Sequence, residues 1–233
     1  MNTFIFAGKK SSDFGIYISG NGTYSFPERD VSKIEVPGRN GDLIIDNGRF
    51  KNVPLKYPAF VRQNFKKNTD AARMWLLQDS MYHRLEDSYH PEQFRLARFT
   101  GPMDWSMRFL NLSGECELIF DCKPQRFLKS GEMPIRATSS VTLINPTVFE
   151  ANPLIRVYGE SGTLMIGNSV VQISSIDEYV DIDCDTQNAF KGTVNCNGNI
   201  RLGDFPTLGA GKTGVSFEGN ITQIEIIPRW WFA

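Results

Sequence analysis

Histidine occurs twice in these 233 residues and cysteine four times, and no two cysteines form a Cys-x-x-Cys pair. A structural zinc site takes four nitrogen or sulfur ligands at short spacings. Nothing here is spaced to build one, so neither a metal nor a cofactor is expected. Long apolar runs are also missing: none reaches the roughly 18 residues of a membrane-spanning helix. The opening stretch, Met1 to Lys10, has neither the basic segment nor the apolar block of a secretion signal. The chain is therefore expected to be made and folded in a cytoplasm, with no membrane partner. Charge of one sign is scarce too. The 25 Lys and Arg nearly cancel the 26 Asp and Glu, whereas a dedicated nucleic-acid binder usually carries a basic excess or stripe. A Gly-x-Ser-x-Gly nucleophile elbow is absent, and no cysteine stands beside His83 or His90 in sequence. Both histidines are expected at the surface or at a helix end, and no catalytic residue is assigned.

What is present suits a mainly β fold. Apolar residues make up 41% and aromatics 12%, enough for a real core. Twenty glycines and twelve prolines, scattered along the chain, punctuate it into short strands. Phe14, Ile16 and Ile18 alternate, and Ile34-Glu35-Val36 continues in that style until Pro37-Gly38. Asn40-Gly41 and Asn47-Gly48 are hairpin-turn signals that bracket a short Leu43-Ile44-Ile45 strand. Cys116, Leu118, Phe120 and Cys122 share one face of a strand. Six residues of extended chain place its two thiols ~20 Å apart, too far for a mutual disulfide, so they read as small core hydrophobes. One helix is expected, over about 69–85. Asn68, Thr69 and Asp70 precede it as candidate N-caps, and its apolar stripe is Ala71, Met74, Trp75, Met81, Tyr82 and Leu85. A lone helix among strands must lie on a sheet or plug one end of a sandwich.

The texture changes near residue 145. Asn145-Pro146 and Asn152-Pro153 bound a candidate linker, dividing the chain into domains at 1–145 and 146–233. Beyond it strands recur every 8–12 residues without a helix, the pattern of a β-sandwich. They are Leu154 to Gly159, the Thr163 to Ile173 hairpin through Gly167-Asn168, Tyr179 to Cys184, and Ile221 to Ile227.

Three stretches tempt a chemical reading. Gly209-Ala210-Gly211-Lys212-Thr213 resembles the end of a phosphate-binding loop, but Pro206 stands where the first glycine belongs, and a strand follows where a helix is required. A Gly-rich turn between strands is the expectation. Asp181, Asp183 and Asp185 alternate along one strand, and such a row usually marks a solvated face rather than a calcium site. Trp230, Trp231 and Phe232 suggest sugar stacking, yet consecutive residues of a strand split between two faces, so at least one is expected in a core or an interface.

Taken in order, these pieces resemble the siphophage distal tail proteins over nearly the whole chain. The similar stretches include Phe6-Ala7-Gly8 with Ser11-Ser12-Asp13-Phe14-Gly15-Ile16, and above all Val36-Pro37-Gly38-Arg39-Asn40-Gly41-Asp42-Leu43. Trp75-Leu76, Leu85-Glu86-Asp87, and Arg95 with Ala97-Arg98 follow in the family's order. So do Asn145-Pro146, Asn152-Pro153, Phe205-Pro206 with Leu208, Gly211-Lys212-Thr213-Gly214-Val215, and Pro228-Arg229-Trp230. Thr213 or Gly214 stands where the family commonly has Asn, which puts one turn in doubt. The resemblance implies an N-terminal β-sandwich with one helix and an extended β-hairpin, then a galectin-like C-terminal sandwich. It implies a structural, non-enzymatic virion protein of the tail tip, made in the bacterial host. Six copies would ring the distal end of the tail tube, continuing its lumen, through which DNA passes. Implied partners are the tail-tube protein, the baseplate hub or tail-tip protein, the tape-measure protein and receptor-binding proteins. Within that frame Pro37, Gly38, Arg39, Asn40, Gly41, Asp42 and Leu43 are the candidate inter-subunit arm, part of a hairpin over about 37–52. Pro206, Leu208, Gly211, Arg229 and Trp230 are structural positions of the C-terminal motif. The competing expectation is a tail-associated carbohydrate-binding module.

Overall fold

A computed structural model of the chain describes residues 1–20, 25–108 and 112–233. These form two compact units that divide between Arg126 and Phe127, earlier than the Asn-Pro signals suggest. The Asn145 to Pro153 stretch is instead a loop within the second unit. The Asn145 side-chain amide donates to the carbonyls of Phe149 (2.8 Å) and Leu208 (3.1 Å), and Ala151 bridges Leu208. The Asn-Pro turns exist, but their polar groups are satisfied inside a fold rather than by water.

The first unit begins with β1 (Phe4–Phe6), β2 (Lys9–Lys10) and β3 (Ile16–Ile18), then β4 (Arg29–Ile34), β5 (Leu43–Phe50) and β6 (Val53–Val61). Helix α1 (Phe65–Leu76) follows, then β7 (His83–Asp87), β8 (Gln93–Arg98), β9 (Ser106–Arg108) and β10 (Ser113–Leu128). The main sheet runs β2-β1-β7-β8-β10-β6-β3, with β9 along β10. Strict alternation sets its buried face: Val53, Leu55, Tyr57, Ala59 and Val61 from β6 meet Cys116, Leu118, Phe120 and Cys122 from β10. The cysteines are free thiols, and burial pushes those of Cys116, Cys122 and Cys184 up to about 12.

Helix α1 starts earlier and stops sooner than its sequence pattern suggests. It opens after Asn64, whose φ is 54°, so Asn68, Thr69 and Asp70 lie inside it, and it buries Phe65, Ala72, Trp75 and Leu76. Met74 points outward, 77% exposed. Trp75 is the anchor: Phe14 stacks on it at 4.4 Å and Phe4 at 5.6 Å, and its Nε1 donates to the Phe6 carbonyl at 3.1 Å. Leu85 does belong to the core, but as a strand residue. Pairing of β7 with β1 and β8 prevails over the local helical spacing.

The second unit contains β11 (Ile135–Ala137), β12 (Val141–Asn145), β13 (Leu154–Ile166), β14 (Ser169–Ile173), β15 (Tyr179–Asp183) and β16 (Asn188–Lys191). It continues with β17 (Val194–Asn195), β18 (Ile200–Leu202), β19 (Gly211–Ile227) and β20 (Trp231–Phe232). Two long strands, β13 and β19, pair along their length and bend together, so one hydrogen-bonded sheet supplies both layers of a sandwich. The first halves of β13 and last residues of β19 join β15 and β11; their other halves join β14 and β12. At the bend the inward parity switches. Ile155 and Val157 are buried before it, Leu164 and Ile166 after it, and β19 changes from Val215 to Ile224 and Ile226. A register shift at Gly159 produces the switch, as a bulge does by adding an unpaired residue. The corner is closed by contacts only glycine allows: a Cβ on Gly159 (φ 141°) would lie 2.1 Å from the Asn220 carbonyl oxygen, and one on Gly162 would lie 2.2 Å from that of Glu218.

Candidate functional site

Strands β4 and β5 pair with each other and, among the described residues, with no other strand. Their hairpin is the most solvent-exposed part of the first unit: every residue from Ser32 to Arg49 is exposed. An isolated two-stranded ribbon is marginal in water, and this one is fastened at its root by charge. Arg29 pairs with Asp46 at 3.1 Å, Asp30 with Arg49 at 2.7 Å and Glu28 with Lys51 at 3.5 Å, while Arg29 also covers the Phe50 ring at 4.8 Å. The hydrogen bond from Arg49 holds the Asp30 carboxyl below the usual aspartate value.

Further out the hairpin turns apolar on one face. Ile34 lies opposite Leu43, and Ser32 opposite Ile45, and the two-residue period puts all four on the same side. Ile34, Leu43 and Ile45 are 44%, 40% and 47% exposed. The connecting turn contains Pro37, Gly38, Arg39, Asn40, Gly41 and Asp42, with φ near 81° at both glycines. Only the backbone N–H of Arg39 is engaged, donating to the Val36 carbonyl at 3.1 Å. Its guanidinium has no partner among the described residues. The structure thus places all seven candidate arm residues at or beside the tip of one hairpin spanning Arg29 to Phe50. Two details differ from the sequence expectation. Asn47-Gly48 is not a turn but a bulge inside β5, where Gly48 (φ 70°) donates to Asp46 Oδ1 at 2.9 Å. The partner strand is Arg29–Ile34, missed because Arg-Asp-Val-Ser-Lys-Ile lacks apolar alternation. Its legible signal was the charge match of Glu28, Arg29 and Asp30 with Asp46, Arg49 and Lys51.

The C-terminal motif residues do not gather at one surface site; they fasten the second unit. Pro206 and Leu208 are buried, and Leu208 exchanges both backbone hydrogen bonds with Ala151. Gly211 (φ 77°) opens β19. Arg229 grips Asp183 with two bonds, 2.6 and 3.2 Å, and its own N–H donates to the Gly131 carbonyl at 2.8 Å. Burial raises the Asp183 pKa, but the bond and charge of Arg229 outweigh it and leave it below 3.8. Trp230 is 5% exposed, and a Cβ on Gly131 would fall 2.4 Å from its nitrogen.

Of the Asp181, Asp183, Asp185 row, read from its alternation as a solvated face, only Asp185 is exposed. Asp181 and Asp183 are 4% and 9% exposed, because each is covered by an arginine, Arg156 for Asp181 (2.7 and 2.8 Å) and Arg229 for Asp183. Of the terminal aromatics, Trp230 is core. Trp231 stacks on Phe149 at 4.6 Å and donates from Nε1 to the Glu150 carbonyl at 2.9 Å. Lys212 and Thr213 lie within β19, with Thr213 buried. No helix N-terminus follows them to receive a phosphate. His83 opens a strand rather than ending a helix, with Nε2 2.8 Å from Asp79, and His90 sits in the loop after β7.

With this geometry in place, the fold can be compared with known structures. The solved structure of the SPP1 Dit (gp 19.1) protein superposes with a TM-score of 0.78 over 100% of both chains, at 13% sequence identity. This chain has the Dit fold. That protein is described as a paradigm of the hub adsorption apparatus in phages that infect Gram-positive hosts. The phage p2 baseplate in its activated conformation with Sr is a weaker likeness, with a TM-score of 0.47, 9% identity and 97% of each chain covered, and carries no argument. No protein-family profile and no curated protein matches the sequence.

Proposed function

We propose that the chain is a structural subunit of a siphophage tail tip, six copies of which close into a ring at the distal end of the tail tube. The ring continues the lumen and anchors the baseplate hub and adhesion proteins; it is not an enzyme. The observation that carries this reading is the full-length Dit fold, 100% of both chains at a TM-score of 0.78. The stretches that resemble distal tail proteins independently support it. The hairpin supplies a physical means. Contacts between different surfaces of identical copies close into rings when the rotation allows. An arm whose two strands are held to each other by charge at the root, with an apolar face beyond, suits such a joint. Near-zero net charge suits a channel that lets DNA pass without gripping it. Native mass spectrometry of the purified chain, alone and with the tail-tube protein, tests the reading. A hexamer in either sample is expected; monomer in both overturns the ring.

A further inference from the structure

An Asn-Gly pair can modify itself. The glycine nitrogen attacks the side-chain carbonyl carbon of the asparagine, its proton leaving with the expelled ammonia. The succinimide ring so formed takes up water at either carbonyl, giving aspartate or isoaspartate. Water is the only co-reactant, and glycine permits the attack because it has no side chain to crowd it. The asparagine side chain must swing onto the following nitrogen, so every hydrogen bond that holds either group has to break first. Each slows the step by up to roughly tenfold. The sequence contains four such pairs, of which Asn21-Gly22 lies outside the described residues.

The other three are held differently. At Asn47-Gly48, inside β5, the attacking nitrogen is engaged: the Gly48 N–H donates to Asp46 Oδ1 at 2.9 Å, and the Asn47 side chain bonds the Asp30 carboxyl. Asn197 lies in a short 3-10 helix with both ends of its amide fixed. Its Nδ2 donates to Asn188 Oδ1 at 2.7 Å, and its Oδ1 accepts from the Ala189 N–H at 2.6 Å. Asn40-Gly41 has no such restraint. Both residues are exposed, and neither the Asn40 amide nor the Gly41 N–H has a hydrogen bond among the described residues. A Cβ on Gly41 would meet nothing within 4 Å, so the approach to its nitrogen is open.

We propose that Asn40-Gly41 is a self-modification site of the unassembled chain. Deamidation there places a new carboxylate beside Arg39 at the arm tip, and the isoaspartyl product also lengthens the backbone by one atom. Each converted chain then presents a different tip to any partner. The site does not depend on ring assembly, because it is read on the monomer. Intact protein, kept dilute and verified as monomer by sedimentation, is incubated in mildly alkaline buffer, folded and in guanidinium chloride. Peptide mass mapping follows the change from amide to acid at each pair. The denatured chain sets the rate each pair has without structure, which removes the effect of neighbouring residues. Asn40 is expected to convert in the folded protein at close to its denatured rate, and Asn47 and Asn197 to be slowed roughly tenfold or more. Asn40→Gln is expected to remove the arm-tip signal and leave the other two unchanged. Protection of Asn40 by folding that equals or exceeds that of Asn47 and Asn197 overturns the proposal.

Discussion

The apolar face of the arm makes a quantitative demand on any ring. Fully burying a Leu or Ile side chain contributes about 1.5–3 kcal/mol. Ile34, Leu43 and Ile45 still expose 44%, 40% and 47% of their surface, so docking them has about 2–4 kcal/mol left to gain at each joint. Threonine at all three positions keeps the β-preference of the hairpin while forfeiting roughly half of that gain or more. A loss of about 1.4 kcal/mol is tenfold in affinity, and in a closed ring it recurs at every joint. The triple variant Ile34→Thr, Leu43→Thr, Ile45→Thr should therefore fail to form rings at protein concentrations where the wild type does so. Each position is a surface site within its own chain, so the melting of the dissociated protein should change little, by about 0.5 kcal/mol per site at most. Sedimentation velocity reads assembly, and denaturant unfolding reads the chain itself. Unchanged ring formation, or a melting loss large enough to account for the missing rings, would refute the argument that this face is an interface.

Three further expectations concern single residues. Arg39→Ala should leave unfolding within about 0.5 kcal/mol of wild type, since its guanidinium has no partner among the described residues. It should weaken ring formation measurably by the same sedimentation assay. Gly162→Ala drives a Cβ to 2.2 Å from the Glu218 carbonyl oxygen and should cost about 2 kcal/mol or more in denaturant unfolding, whereas Gly203→Ala, with open space around it, should be near neutral. Arg229→Met strands a buried Asp183 and should cost about 2–3 kcal/mol at pH 7. The paired Asp183 has a depressed pKa, so its contribution is present above about pH 4 and lost as pH falls through the folded value. Without Arg229, burial is opposed only by the backbone hydrogen bonds of Asp185 and Thr186, so the pKa rises and the deficit should shrink as pH falls through it. Unfolding curves measured as pH is lowered check the sign.

Alternation was the readable part of this sequence because period two depends only on which face is buried. Ile16 and Ile18, Val180 and Ile182, and the Cys116 to Cys122 face all pack as their spacing suggests. The helix boundary was not readable. Met81, Tyr82 and Leu85 continue a helical spacing by coincidence, and only the pairing of β7 with its two neighbours decides that Leu85 belongs to a strand. The domain boundary failed for a related reason. An Asn-Pro turn looks the same in sequence whether its amide faces water or, like Asn145, the interior of a domain. Continuity was hidden as well: Leu154 to Gly159 and Thr163 to Ile166 read as separate strands, since a bulge that switches parity looks in sequence like a break.

The arm was legible at its tip and illegible at its root, and the division follows from physics. A tight turn restricts residue type strongly, because positive φ at Gly38 and Gly41 excludes most side chains. Pro-Gly-Arg-Asn-Gly therefore stands out. The strand that leads into the turn, Arg29–Ile34, buries no residue fully within its own chain, so no apolar period marks it, and the only trace of the pairing is charge matched to charge. For a buried hairpin that would be a weak design, since surface ion pairs contribute little each. It is reasonable if, as proposed, the apolar face is reserved for another molecule. Charge at the root sets the register without consuming apolar surface, and leaves Ile34, Leu43 and Ile45 together on one side. A segment that reads poorly as part of its own fold is, on this argument, where the binding surface should be sought.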